Sequence, residues 1–153
     1  MERDPFYNPN FTKKSVDFSF DYPEPSLDNY EIKKLDAASV SSLHDDPRLM
    51  GNIDIMFMRN ENVLYVEGWG IAAGHAGEKA VDLLLKGEKE SYSVTKDPVL
   101  REDLPKAFPA EEHALLGGFR SFVDLKKLQK GSYRLMLIRG NITHDLQRNI
   151  DVD

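Results

Sequence analysis

The sequence predicts an all-β fold, an antiparallel sandwich, and three observations carry that prediction. Short stretches alternate apolar and polar residues, turns rich in Gly, Asn and Asp separate them, and helical periodicity is scarce. Such alternation suits strands with one packed face and one wet face. A chain of 153 residues is long enough to bury a core of its own.

Residues 1–13 hold Pro5, Asn8, Pro9 and Asn10 among isolated aromatics, and read as a tail or linker. Residues 14–47 form an N-terminal extension expected to add one or two strands. Val16, Phe18, Phe20 and Tyr22 alternate with polar residues until Pro23 and Pro25, which cannot donate to a ladder, end the pattern. Tyr30, Ile32 and Leu35 mark a second, weaker strand, and Asp36 to Pro47 reads as a loop with a helical turn at Ala37–Val40.

The sandwich domain is expected over 48–153. Ile53, Ile55 and Phe57 alternate with Asn52, Asp54, Met56 and Met58; Arg59-Asn60-Glu61-Asn62 turns the chain, and Val63 to Trp69 returns as a partner strand. A Gly-rich break follows at Gly70, Gly74 and Gly77. Ala80–Lys86 and Ser91–Lys96 make a second hairpin, with Val81, Leu83 and Leu85 facing Tyr92 and Val94. Asp97 to Leu115 is a longer connection containing Pro98, Pro105 and Pro109, with a short helix expected at Ala110–Leu116. Glu111 and Glu112 would suit the N-terminal end of that helix. Phe119–Val123, then Tyr133, Leu135 and Leu137, resume strand character. Arg139-Gly140-Asn141 is the last tight turn, and Leu146, Ile150 and Val152 belong to a closing strand.

One local pattern sharpens the architecture. In Leu128-Gln129-Lys130-Gly131-Ser132-Tyr133, a Leu and a Gly turn precede a Tyr that opens an alternating strand. This is how an immunoglobulin-like sandwich builds a tyrosine corner, the phenol packed inward and its hydroxyl bonded to backbone a few residues upstream.

Composition excludes several functions. A formal charge of −6, with lysines in flanked pairs rather than tracts, weighs against nucleic acid and anionic membrane partners. No apolar run approaches the roughly 18 residues of a membrane span, so no membrane insertion is expected in this segment. The N-terminus lacks a signal-peptide pattern. The expectation is therefore a cytoplasmic protein, or else a fragment of a longer membrane or secreted protein. The absence of cysteine removes disulfides, zinc-thiolate sites and thiol nucleophiles, and fits a cytosolic or a Gram-positive exported chain.

The candidate ligand-binding residues are Trp69, Tyr65, Tyr92, Arg101 and Asp103. Trp69, between Gly68 and Gly70, is either an aromatic platform for a sugar ring or a core plug that lets a neighbouring backbone come close, and burial favours the plug. Arg101 and Asp103 lie in the long connection, where they either engage a polar partner or brace the loop while Leu104 and Phe108 tuck into the sandwich edge; bracing is the expectation. His44, His75, His113 and His144 are scattered, without the spacing of a metal site, and no metal or other cofactor is expected. Gly-x-Ser-x-Gly, P-loop, Gly-x-Gly-x-x-Gly and His-Glu-x-x-His motifs are absent, and among 26 acidic residues nothing selects a catalytic pair.

From Val63 onward the order of motifs resembles a bacterial β-sandwich module attached to cell-envelope proteins. These include multi-spanning membrane proteins and glycosyltransferases that handle surface polysaccharide. The resemblance rests on Leu64-Tyr65-Val66-Glu67-Gly68-Trp69, Val81–Lys86, Arg101-x-Asp103-Leu104 with Phe108, Gly118-Phe119, and Leu125-x-x-Leu128-x-x-Gly131-x-Tyr133. Where that family usually carries alanine after Gly-Trp, this chain has Gly70. The resemblance implies an accessory domain, extracytoplasmic on an envelope protein, that contacts glycan or a partner protein or spaces a catalytic part. A non-catalytic interaction or spacer module is the expected function, and a carbohydrate-binding module the alternative. A hydrolase with an unrecognised site comes third, since it would need convergent carboxylates or a His–acid pair in a cleft.

Overall fold

The computed structural model describes residues 27–73, 81–111 and 114–153. The strand expected over Val16–Tyr22, the glycines Gly74 and Gly77, and the histidines His75 and His113 lie outside them. Within them, the hairpin of β3 (Leu49–Met58) and β4 (Val63–Ala72) forms as its turn chemistry predicts. The Asn60 side chain accepts from the N–H groups of Asn62 at 2.8 Å and Val63 at 3.0 Å, closing the turn locally. In the second hairpin, β5 (Asp82–Gly87) and β6 (Ser91–Val94) pair Leu83 with Val94 and Leu85 with Tyr92, the expected facing residues.

Two sheets result. One has four strands in the order β3-β4-β8-β7, where β7 is Asp97–Val99 and β8 is Gly118–Asp124. The other, in the order β1-β6-β5-β9-β10-β2, adds β1 (Ile32–Lys34), β2 (His44–Asp45), β9 (Gly131–Arg139) and β10 (Ile142–Val152). Pairing is antiparallel except between β10 and β2, which run parallel over Ile142↔His44 and Thr143↔Asp45. The helical turn expected near Ala37 is helix α1 (Ala37–Ser41), capped by Asp36, whose carboxylate accepts from the Ser39 N–H at 2.7 Å.

The main core lies between the sheets. Leu64, Val66, Phe119 and Val123 from the four-stranded sheet meet Leu83, Leu85, Leu135 and Leu137 from the other. Tyr133, the third residue of β9, forms a tyrosine corner, its hydroxyl donating to the Gln129 carbonyl, with Leu128 buried and Gly131 at φ 148°, where a side chain would be strained.

Three expectations are corrected. Ile53, Ile55 and Phe57 do not share a face, because a bulge at Asp54 shifts the register from Ile53↔Gly68 to Ile55↔Glu67. Ile53 therefore enters the core, Met56 packs against it, and Phe57 turns to the outer face. The helix of the long connection is α2 (Asp103–Ala107), earlier than expected. Pro105 is tolerated in its first turn, where no intrahelical N–H bond is lost. Phe108 precedes Pro109, which disfavours helical backbone, and the helix stops. Residues Ala114–Leu116 make only a short 3-10 turn.

Third, Trp69 is not a plug between the sheets. Core positions of β4 are Leu64, Val66 and Gly68, so Trp69 has the opposite phase and lies half-buried on the outside of the four-stranded sheet. It joins a second, smaller cluster formed by Ile71, Leu104 and Ala114. The close approach expected at its neighbouring glycine is real, since a Cβ on Gly68 would sit 2.1 Å from the Asn52 carbonyl oxygen.

Candidate functional site

The outer face of the four-stranded sheet brings four of the five candidate residues together: Tyr65, Trp69, Arg101 and Asp103. Tyr92 is elsewhere, 7% exposed between the sheets, its hydroxyl accepting from the Gln129 N–H at 3.1 Å.

Strand phase lays this face out in rows. The first row is aromatic: Phe57 lies 5.1 Å from Tyr65, Tyr65 5.0 Å from Phe122, and Phe122 5.4 Å edge-on from Tyr30, centroid to centroid. The Arg59 guanidinium lies 5.9 Å from the Phe122 ring centre. The second row is charged. Glu67 and Asp97 both stand opposite Arg120 in the ladders, and the Arg120 Nε is 3.9 Å from the Asp97 carboxylate. Tyrosines bridge the rows, the Tyr65 hydroxyl donating to Glu67 and the Tyr30 hydroxyl to Asp97. Burial pushes both phenols above their ordinary range, Tyr30 to about 12, and the neighbouring carboxylates reinforce the shift by disfavouring a second negative charge.

The third row holds Trp69, opposite Gly118, with Phe108 packed on it at 5.4 Å and 46°. Arg101 crosses Gly118, where an added Cβ would come within 2.5 Å of the Arg101 Cγ. Its guanidinium donates to Asp103 at 2.9 and 2.7 Å and to Asp54 at 2.7 Å. That fork holds the Asp103 carboxyl below its usual range. Bracing of the loop is thus observed, with one addition: Asp54, the bulge residue of β3, is the far anchor. Leu104 and Phe108 tuck onto the sheet face rather than its edge.

Sequence reasoning missed Phe57, Phe122, Tyr30, Glu67 and Arg120 as members of this surface. Counting phase outward from the core positions of β4 and β8 would have found Glu67, Arg120 and Phe122. Tyr30 comes from outside the sheet, and only packing places it. Lys96 was also passed over; burial lowers its ammonium, which lies 5.7 Å from the centre of the Phe119 ring. Among the described residues, no three His, Asp or Glu side chains gather as a metal-binding group.

The arrangement presents an aromatic strip beside carboxylates and guanidinium groups that bond to one another. It can offer stacking and apolar contact, with polar groups already held in place. No family model, no curated protein and no solved structure matches the chain.

Proposed function

We propose that this chain is a non-catalytic interaction or spacer module, an immunoglobulin-like sandwich carried extracytoplasmically by a bacterial cell-envelope protein. The envelope setting rests on the motif order from Val63 to Tyr133, and the tyrosine corner supports the immunoglobulin-like type. One observation carries the non-catalytic reading: the candidate polar residues are spent on each other. Arg101 bonds both Asp103 and Asp54, Tyr65 bonds Glu67, and Tyr30 bonds Asp97. A general acid or base needs a position from which it reaches a substrate proton, and these groups are committed to holding the surface. The contacting surface is the outer face of the four-stranded sheet, where Phe57 is 41% exposed.

The aromatic row Phe57–Tyr65–Phe122 favours a second reading, a carbohydrate-binding module whose rings stack on sugar. A glycan array probed with the full chain and with Trp69→Ala and Phe57→Ala separates the two. On the leading reading no glycan is retained, and Trp69→Ala costs about 1–3 kcal/mol of stability as the ring leaves Phe108. Glycan binding that disappears in a stably folded Trp69→Ala or Phe57→Ala would replace it with the second.

A further inference from the structure

We propose that His144 and Arg148 are edge guards: they occupy the outward carbonyls of Gly51 and Ile53 and prevent this part of β3 from pairing with β3 of a second copy of this chain. At ten residues, β3 is a long strand, and it stands first in its sheet, so one side of its backbone meets no strand among the described residues. Such an edge is a template for intermolecular pairing. An antiparallel pairing of two identical edges is self-complementary, which makes a second copy the natural occupant.

The direction of the backbone groups follows from the ladder. Gly70, opposite Gly51, sends its N–H away from β3 to the Gly117 carbonyl at 2.9 Å. The Gly51–Gly70 pair is therefore the non-bonded kind. Gly51, and with it Leu49 and Ile53 at a period of two, turn their own polar groups outward. Each of the three has one of those groups engaged by something other than a strand. The Leu49 N–H donates to the Asp46 carbonyl at 3.0 Å. The Gly51 carbonyl lies 3.1 Å from His144 Nε2; since a carbonyl only accepts, that nitrogen carries the hydrogen. The Ile53 carbonyl accepts from Arg148 Nη2 at 3.3 Å. Just beyond Ile53, the bulge at Asp54 breaks the regular edge.

The spacing shows how β10 is shaped for this. His144 and Arg148 are four residues apart, whereas the carbonyls of Gly51 and Ile53 are two apart. A bulge between Asp145 and Arg148, with Gln147 in the left-handed region at φ 61°, removes the mismatch. His144 pairs with Leu137 and Arg148 with Leu135, so along the ladder the two side chains are also two steps apart. An unbulged β10 would carry one of them past its carbonyl.

The test is association of His144→Ala/Arg148→Ala against the parent chain, by sedimentation velocity over a concentration series with circular dichroism as the fold check. Losing two side-chain bonds from the edge should lower the concentration of half-association by about tenfold or more. In the associated form, the amide hydrogens of Gly51 and Ile53 should exchange more slowly. Should the double variant fail to fold, Arg148→Met, at an exposed position, keeps the aliphatic stem and removes the donor, and it should shift association in the same direction. A folded variant that associates no more than the parent overturns the proposal. So does association that leaves the Gly51 and Ile53 amides unprotected, or a parent chain that already pairs through them.

Discussion

The Tyr133 hydroxyl donates to the carbonyl of Gln129, and the N–H of that same Gln129 donates to the Tyr92 hydroxyl at 3.1 Å. The two rings lie 5.9 Å apart. One residue of the turn before β9 is thus held on both sides by phenols that also fill the core. Tyr133→Phe should lower the unfolding free energy by about 1–2 kcal/mol, because a carbonyl loses its partner while the ring volume is kept. Tyr92→Phe should cost about 1 kcal/mol. Since both act on Gln129, the double variant should depart from additivity by at least roughly 0.5 kcal/mol in urea melts.

Gly68 and Gly70 flank Trp69 and should respond differently to alanine. At Gly68 the new Cβ would sit 2.1 Å from the Asn52 carbonyl oxygen and 3.0 Å from the Ile53 Cα, so β3 itself would have to move. At Gly70 its nearest neighbours are methyl groups of Leu137, at 2.9 and 3.4 Å, and of Val81, at 3.4 Å, which can rotate away. Thermal melts should show a loss of about 3 kcal/mol or more for Gly68→Ala and about 1 kcal/mol or less for Gly70→Ala. The second result would show that the position after Trp69 accepts an alanine.

Alkaline pH provides a third check. Burial, aided by the bond to Asp97, raises the Tyr30 phenol from 10 to about 12, so the folded state favours its neutral form. A group raised in this way contributes stability that is whole below pH 10 and is lost as pH climbs through 12. The slope of unfolding free energy against pH between those limits should be shallower for Tyr30→Phe than for the parent. Tyrosinate absorbance should lose one late-titrating group in the same variant. An unchanged slope and titration would mean that Tyr30 is not protected on the sheet face.

Much of the architecture is legible in local pattern. The β3–β4 and β5–β6 hairpins and the corner at Tyr133 follow from period-two alternation and from turn residues a few positions apart. The candidate surface was legible only in part. Tyr65, Trp69, Arg101 and Asp103 share it, but Tyr92 has the inward phase and belongs to the core. Helix α2 was misplaced because Pro105 looks like a breaker, although a proline within a first turn interrupts no bond.

By itself, the sequence determined the longer strands and where the chain reverses between them, because those choices depend on neighbours within a few residues. The short β2 and β7 form inside stretches expected to be a loop and a connection, where pairing with a neighbour makes the strand. Tertiary structure decided which face each side chain joined. The bulge at Asp54 sends Phe57 outward, and the bulge before Arg148 brings that residue to Ile53. Arg101 finds Asp54 across 47 positions of sequence. A one-residue slip reverses every side chain beyond it, and slips are set by the packing of two sheets rather than by any local run of residues.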